Sequence, residues 1–243
     1  MTIRDKVAVV TGASKGIGRQ TALALAAAGA DLAISARSSE LLETLANEIK
    51  NTGRKAFIFT GDMSKEPEIQ SFIKQTVDHF GRIDILVNNA GVGHFYPVAR
   101  MPTEIWDEMF NLNVRGLFIT TREALPYLRE SGEAVIANVV SLAGKNAFAT
   151  GGGYAATKHA VLGFSRCLML EERKNGIRVL AICPGSVDTH FFQDQQGPDE
   201  NKMKPNLEKV LKPGDIADTI LHMIRMPQRA MISEVDIRPS NPS

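Results

Sequence analysis

Short apolar runs alternate with longer stretches of helical period along nearly the whole chain. The runs Val7–Val10, Leu32–Ser35, Ala56–Phe59, Ile85–Val87, Ala134–Val139, Val179–Ile182 and Ile232–Ile237 read as strands. Between them, Gly18–Ala28, Glu40–Lys50, Glu66–Phe80, Thr103–Arg129, Tyr154–Lys174 and Pro213–Arg225 read as helices. Strands that alternate with helices predict βαβ units with right-handed crossovers. The expected fold is therefore α/β, a doubly wound sandwich with a seven-stranded parallel sheet covered by helices on both faces. No repeat or linker interrupts the rhythm, so residues 1–243 are expected to form a single dinucleotide-binding catalytic domain. The exception is the polar stretch from about Asp188 to Val210, which predicts a substrate lid over about 188–212.

Composition narrows the function classes. With 28 Lys+Arg against 27 Asp+Glu, the net charge of +1 does not point to nucleic acid. No run approaches the roughly 20 apolar residues of a membrane span, and Met1–Lys6 has no signal-peptide pattern. The two cysteines, Cys167 and Cys183, suggest neither a metal site nor a disulfide framework. They are expected to be reduced and largely buried thiols, which places the chain in the cytoplasm.

Candidate chemistry begins after the first strand, at Thr11-Gly12-Ala13-Ser14-Lys15-Gly16-Ile17-Gly18. Glycines there permit a tight turn and close approach of backbone to a pyrophosphate, and the following helix N-terminus offers free N–H groups. The spacing is Gly-x-x-x-Gly-x-Gly, and no Gly-Lys-Ser/Thr closes it as in a Walker loop. At the end of the second strand an NAD-binding chain would place an acidic residue. This chain has Ser35-Ala36-Arg37-Ser38, so Arg37, with Lys15, is expected to pair with the extra phosphate of NADP(H). Asp62, after the third strand, is placed to accept from an adenine amino group. Asn88-Asn89-Ala90-Gly91, after the fourth, reads either as a brace between strand ends or as a plain turn.

Tyr154 and Lys158 lie one turn apart on one face of a predicted helix. A free tyrosine, with a pKa of about 10, is a poor base at neutral pH. A neighbouring cation favours the phenolate and is expected to move that pKa toward the working range.

Taken in order, Thr11-Gly12-x-x-x-Gly16-x-Gly18, Asn88-Asn89-Ala90-Gly91, Asn113, Ser141, Tyr154-x-x-x-Lys158 and Pro184-Gly185 resemble the short-chain dehydrogenases/reductases. The resemblance is to their compact branch, such as NADP-linked carbonyl reductases and 3-oxoacyl-carrier-protein reductases. It implies a Rossmann-type sheet and four catalytic residues, Asn113, Ser141, Tyr154 and Lys158. Tyr154 would be the acid/base, and Lys158 would lower its pKa and bond the nicotinamide ribose. Ser141 would polarise the substrate carbonyl, and the amide of Asn113 would hold a water that links Lys158 to solvent. The implied cofactor contacts are Gly12, Ser14, Lys15, Gly16, Ile17, Gly18, Arg37, Asp62, Asn89, Ala90, Gly91, Tyr154, Lys158, Pro184, Gly185, Val187 and Thr189. His94, Phe95, Phe148, Ser186, Phe191 and Phe192 flank the catalytic strand ends as candidate substrate residues. For His94 the choice lies between binding an acidic group and capping a loop.

The resemblance also implies a homotetramer or homodimer through the helices Thr103–Arg129 and Tyr154–Lys174, where Phe164, Leu168 and Met169 are extra apolar positions. The ending Val235-Asp236-Ile237-Arg238-Pro239-Ser240 departs from the family's usual glycine pair. It resembles instead a subset of broad carbonyl reductases and hydroxy-acid or amino-alcohol dehydrogenases. Gly151-Gly152-Gly153, before Tyr154, is either a mobile entry to the helix or a plain loop. The leading expectation is an oxidoreductase that interconverts a small carbonyl and its alcohol with NADP(H). An oxoacyl reductase and a non-catalytic NADP(H)-sensing regulator are the alternatives, and no metal is expected.

Overall fold

The computed structural model describes residues 1–198 and 205–240. Seven parallel strands form one sheet in the order β3-β2-β1-β4-β5-β6-β7. They are β1 (Val7–Thr11), β2 (Asp31–Ala36), β3 (Ala56–Thr60), β4 (Ile85–Asn88), β5 (Ala134–Val139), β6 (Ile177–Pro184) and β7 (Glu234–Ile237). The helices are α1 (Gly16–Ala27), α2 (Ser39–Asn51), α3 (Glu66–Phe80), α4 (Thr103–Phe110), α5 (Leu117–Glu130), α6 (Gly152–Glu172) and α7 (Pro213–Arg225). Each strand run marked by the apolar pattern is a strand here, with ends shifted by a few residues at most.

Alternation along the strands builds two cores. Ala8 and Val10 of β1, Leu32 and Ile34 of β2 and Ile85 and Val87 of β4 pack against α1, α2 and α7 through Leu25, Leu42 and Ile220. Their neighbours Val9, Ala33 and Leu86 face the other way, onto Phe72 of α3, Leu128 of α5 and Leu168 of α6. Because both faces are covered, β1, β5 and β6 are buried at every residue and mostly apolar, as parallel strands of this kind are.

Four expectations are corrected. The stretch Thr103–Arg129 is not one helix: a π turn, Asn111–Gly116, separates α4 from α5. It directs Asn113 inward, where the side chain is buried between the β4–α4 connection and α6. The last strand begins at Glu234, where pairing with Ala181 of β6 starts, and not at Ile232. Cys183 is buried in β6, but Cys167 is exposed on α6. Leu168 lies in the core against the sheet and is not a surface position. The expected lid falls partly on residues 199–204, which lie outside the described residues. Among the rest, Val187 bridges to Leu211, and Lys212 Nζ holds Asp188 at 2.9 Å, so its two ends are tied together.

Sheet order reverses at β1, whose neighbours β2 and β4 follow it in opposite directions. Loops leaving the carboxyl ends of β1 and β4 diverge there and open a crevice, the usual ligand position in such sheets. The opposite edge of the sheet is closed by Asp84, whose side chain is fully buried. It accepts from Val7 N (2.9 Å), Arg82 Nε (2.8 Å), Ser131 Oγ (2.5 Å) and Lys6 Nζ (3.3 Å). Burial would raise its pKa, but the bonds from Arg82, Ser131 and Val7 and the charge of Lys6 outweigh that and hold it below the ordinary carboxylate range.

Removing this carboxylate leaves Val7 N–H buried and two cations uncompensated. Asp84→Ala should cost about 2–4 kcal/mol of stability at pH 7. An unfolded Asp84 takes up its proton at a higher pH than the folded one. The gap to wild type should therefore close as pH falls below about 4, where the unfolded chain binds the extra proton. Urea denaturation at pH 7 and pH 3 tests this; a gap that stays constant between them would contradict it.

Candidate active site

The crevice is framed by hydrogen bonds between strand ends. Thr11, the last residue of β1, donates from Oγ1 to Val87 O (3.4 Å) and accepts there from Asn89 N and Ala90 N (both 3.1 Å). Asn89 Nδ2 reaches back to Thr11 O and Gly12 O, at 3.0 Å each. One strand further, Asn88 Nδ2 donates to Asn138 Oδ1 of β5 (2.9 Å) and Thr121 Oγ1 (3.0 Å), and Asn138 Nδ2 to Ser165 Oγ of α6 (2.8 Å). The Asn-Asn-Ala-Gly segment is thus the brace between strand ends and not a plain turn. Gly12 sits at φ +64°, and a Cβ there would lie 2.8 Å from Ala90 Cα. At Gly18 a Cβ would lie 2.4 Å from Asn89 Nδ2. No side chain caps the N-terminus of α1, and no acidic residue occupies its first turn. Its N–H groups are therefore open to an anion.

A cavity of about 1120 Å³ runs along this edge of the sheet. Of the sequence-predicted residues, Asn113 and Gly18 alone do not line it; they stand behind its wall as braces. At one end Lys15 and Arg37 are exposed and make no ion pair among the described residues. Nearby Asp62 already accepts from Ser64 N (2.9 Å) and Ser64 Oγ (2.8 Å) through Oδ1.

Toward the other end lie Ser141, Tyr154 and Lys158. Ser141 follows β5, and its Oγ accepts from Ala143 N (3.1 Å), which leaves the hydroxyl hydrogen free for Tyr154. The turn holding Ser141 is pinned from the C-terminal strand: Lys145 forms ion pairs with Glu234 and Asp236 of β7. The atypical C-terminal ending therefore has a structural use. Lys158 is buried, and its Nζ donates to Val139 O (3.0 Å) and lies 5.7 Å from the centre of the Tyr154 ring.

The expected lowering of the tyrosine pKa is not what this geometry produces. Burial pushes Tyr154 up to about 12, with only the Ser141 bond working against it, and pushes Lys158 down to about 8. Desolvation disfavours both charged forms. At neutral pH the pair is a protonated phenol beside an ammonium. Asn113 is also a structural tie. Both N–H groups of its amide are taken, by Val92 O (2.8 Å) and Thr157 Oγ1 (3.1 Å), and its Oδ1 accepts from Val92 N (2.9 Å). The side chain joins the β4–α4 connection to α6.

Aromatic rings wall the region beside Tyr154. Phe191 lies 5.4 Å from its ring and Phe95 5.8 Å, with Phe148 5.8 Å from Phe95. Phe192 stacks edge-on against Phe191. Two of the three glycines before Tyr154 stand in crowded places: a Cβ at Gly153 would lie 2.6 Å from Met109 Cε, and one at Gly151 2.3 Å from Phe148 Cζ. His94 takes the capping role, because its Nδ1 accepts Gln196 N–H at 2.9 Å and so ties the lid segment to the β4–α4 connection. Sequence reasoning missed Glu108, Asn146, Asp194 and Arg238, all of which line the cavity. Arg238 carried a usable signal, since it follows a strand end as the other motifs do. Glu108 carried none, because it arrives from the middle of α4.

Comparison with known proteins agrees with this arrangement. A family model described as short chain dehydrogenase matches residues 6–200. An uncharacterized oxidoreductase of Staphylococcus epidermidis is 33% identical over 237 residues, 98% of each chain. The fold is similar to that of an alcohol dehydrogenase from the archaeon Thermococcus sibiricus complexed with 5-hydroxy-NADP, at a TM-score of 0.89 and 33% identity. That match covers 98% of this chain and 97% of the other. A 3-ketoacyl-(acyl-carrier-protein) reductase from Brucella melitensis complexed with NADH gives 0.88 at 30% identity, over 98% of each chain.

The buried lysine makes a pH prediction. Between about pH 8 and 9 the folded chain has lost the Lys158 proton, while an unfolded lysine, at its ordinary 10.5, keeps it. The unfolded state then binds more protons, so stability should rise with pH across this window. Tyr154 and Cys183, held up to about 12 and about 11 by burial, oppose the rise only above about pH 9. Lys158→Met should remove the rise in urea midpoints measured without nucleotide. Identical slopes for variant and wild type would refute the assignment.

Proposed function

The chain belongs to the short-chain dehydrogenase family, and from that premise we propose that it is an NADP(H)-dependent oxidoreductase interconverting a ketone or aldehyde and its alcohol. One observation carries the reading: the hydroxyls of Ser141 and Tyr154 meet at the wall of a cavity that also presents two cations, Arg37 and Lys15, with no ion pair among the described residues. The residues present fit a phosphorylated dinucleotide. The glycine turn leaves no room for side chains, the α1 N-terminus is uncapped, and no carboxylate stands at the end of β2 to repel a phosphate. Arg37 and Lys15 would hold the additional phosphate, and Lys158 the ribose beside the reacting ring. When bound, the nicotinamide supplies or accepts the hydride.

The protein's own part is proton handling and orientation. Tyr154 keeps its proton at neutral pH and gives it from Oη to the substrate carbonyl oxygen in the reducing direction. Ser141 donates to the same oxygen as negative charge grows there. Lys158, fixed by Val139 O, stabilises the phenolate that remains. Phe95, Phe148 and Phe191 exclude water from one side of the reacting carbon. Among the described residues no helix is long and apolar enough to cross a membrane. The proposed setting is the cytoplasm, with no membrane or nucleic-acid partner. A homotetramer or homodimer formed through α5 and α6, where Phe118 and Leu170 remain exposed, completes the reading.

NADPH oxidation followed by absorbance across a panel of ketones, aldehydes and an oxoacyl thioester tests the proposal. Tight NADPH binding with no turnover on any member would favour a sensor instead. Tyr154→Phe should retain nucleotide binding and lose about 10²–10⁴-fold in kcat; a near wild-type kcat would overturn the proton-transfer role. Arg37→Asp should shift the ratio of kcat/KM for NADPH over NADH toward NADH by about 10²-fold. An unchanged ratio would remove the phosphate assignment.

A further inference from the structure

At the substrate end, the polar groups on the cavity wall have a definite sense. His94 is buried, with 3% of its surface exposed. Its Nδ1 accepts the Gln196 backbone N–H, so the neutral ring carries its hydrogen on Nε2. That Nε2 has no hydrogen-bond partner among the described residues, although Glu108 Oε2 lies 3.3 Å away. The two groups are close enough to attract and not aligned to bond. Glu108, on α4, keeps 40% of its side chain exposed and also lines the cavity. A second carboxylate on the wall, Asp194, follows the short turn His190–Phe192 and is exposed.

Cations of the cavity wall are engaged or placed elsewhere. Lys158 donates to Val139 O, Arg238 is held by Asp236 at 3.3 Å, and Arg37 and Lys15 stand at the proposed nucleotide end. Among the described residues of the cavity wall, His190, exposed on the lid turn, is the remaining basic side chain. The same wall carries Phe95, packed against Tyr154, with Phe148 and Phe191 beside it, whose ring faces also favour positive charge. An anionic substrate group would meet two carboxylates and aromatic faces. A cationic donor would meet an acceptor that His94 leaves unsaturated.

We propose that Glu108, beside His94, is a specificity-determining residue and that the carbonyl compound taken by this site bears a cationic amine as well as an apolar body. This assignment deepens the reading of the site as a carbonyl reductase and rests on it. The polarity is opposite to the one first considered for His94. That ring does not await an acidic ligand, because a carboxylate of the chain already faces it.

Three acetophenones that differ only in the para substituent provide the test: aminomethyl (an ammonium at pH 7), hydroxymethyl and carboxymethyl. With NADPH, the aminomethyl ketone should exceed the carboxymethyl ketone in kcat/KM by about 10–100-fold, the range of a hydrogen bond to a charged group, mainly through KM. Glu108→Gln should bring that ratio to within about threefold, and Glu108→Arg should invert it. A purely structural role for Glu108 would lower all three alike and leave the ratio intact, which would overturn the inference. So would a carboxymethyl ketone as good as the aminomethyl one. In either case, reduction of the neutral hydroxymethyl ketone leaves the proposed reaction standing. Absence of turnover on all three overturns the inference together with the proposed reaction for aryl ketones.

Discussion

The hydrogen-bonded lacing of Thr11, Asn89, Asn88 and Asn138 holds the carboxyl edge of the sheet in the shape that everything else uses. A parallel sheet that reverses its order must spread two loops apart, and spread loops leave backbone groups without strand partners. Here the Thr11 hydroxyl and the Asn89 amide take up those groups and tie β1 to β4, while the side chains of Asn88 and Asn138 tie β4 to β5 and β5 to α6 through Ser165. Each bond contributes only about 1 kcal/mol net, but a buried group left unpaired costs about 1–3 kcal/mol. The lattice is therefore hard to dismantle piece by piece. With its glycines pressed against it, the crevice is a consequence of the lacing and not a gap in the packing.

A second tie extends this frame to the reacting side chains. The π turn at Asn111–Gly116 points Asn113 into the protein, where its amide fixes the Val92 backbone on one side and Thr157 on the other. Thr157 donates in turn to Tyr154 O. The helix carrying Tyr154 and Lys158 is thus registered against the end of β4 as well as against β5. Burial is the electrostatic consequence of that close packing. It opposes both charged forms of the pair, so the phenol holds its proton and the lysine gives its own up more readily than in water. A site of this kind is prepared to donate a proton, and a bound nucleotide would change the balance by changing what surrounds Lys158.

How far the chain can be read without its fold differs from feature to feature. Glu66–Phe80 and Pro213–Arg225 were legible to the residue, because a proline stands in the first turn of each and the apolar period ends where the helix does. Thr103–Arg129 read as one helix, since a π turn changes the hydrogen bonding without changing the composition. Cys167 and Leu168 are adjacent on α6, yet only the second is buried. On a helix hydrophobic all round, the buried face is chosen by whatever packs against it. Glu108 was invisible, because nothing local distinguishes a carboxylate on the outer face of α4 from one turned toward a cavity.

Local pattern was enough for the α/β alternation, the place of each motif at a strand end, and the types of side chain available for proton and phosphate chemistry. These follow from local periodicity and from residue chemistry, which survive without tertiary context. Packing was needed for the direction in which the Tyr154 and Lys158 pKa values move, the bracing use of Asn113, the capping use of His94 and the polarity of the substrate end. Each depends on burial and on partners distant in the chain. His94 and Gln196, for example, stand 102 positions apart in the chain and are joined by a hydrogen bond. Desolvation and long-range pairing are properties of the packed chain, and no window of sequence contains them.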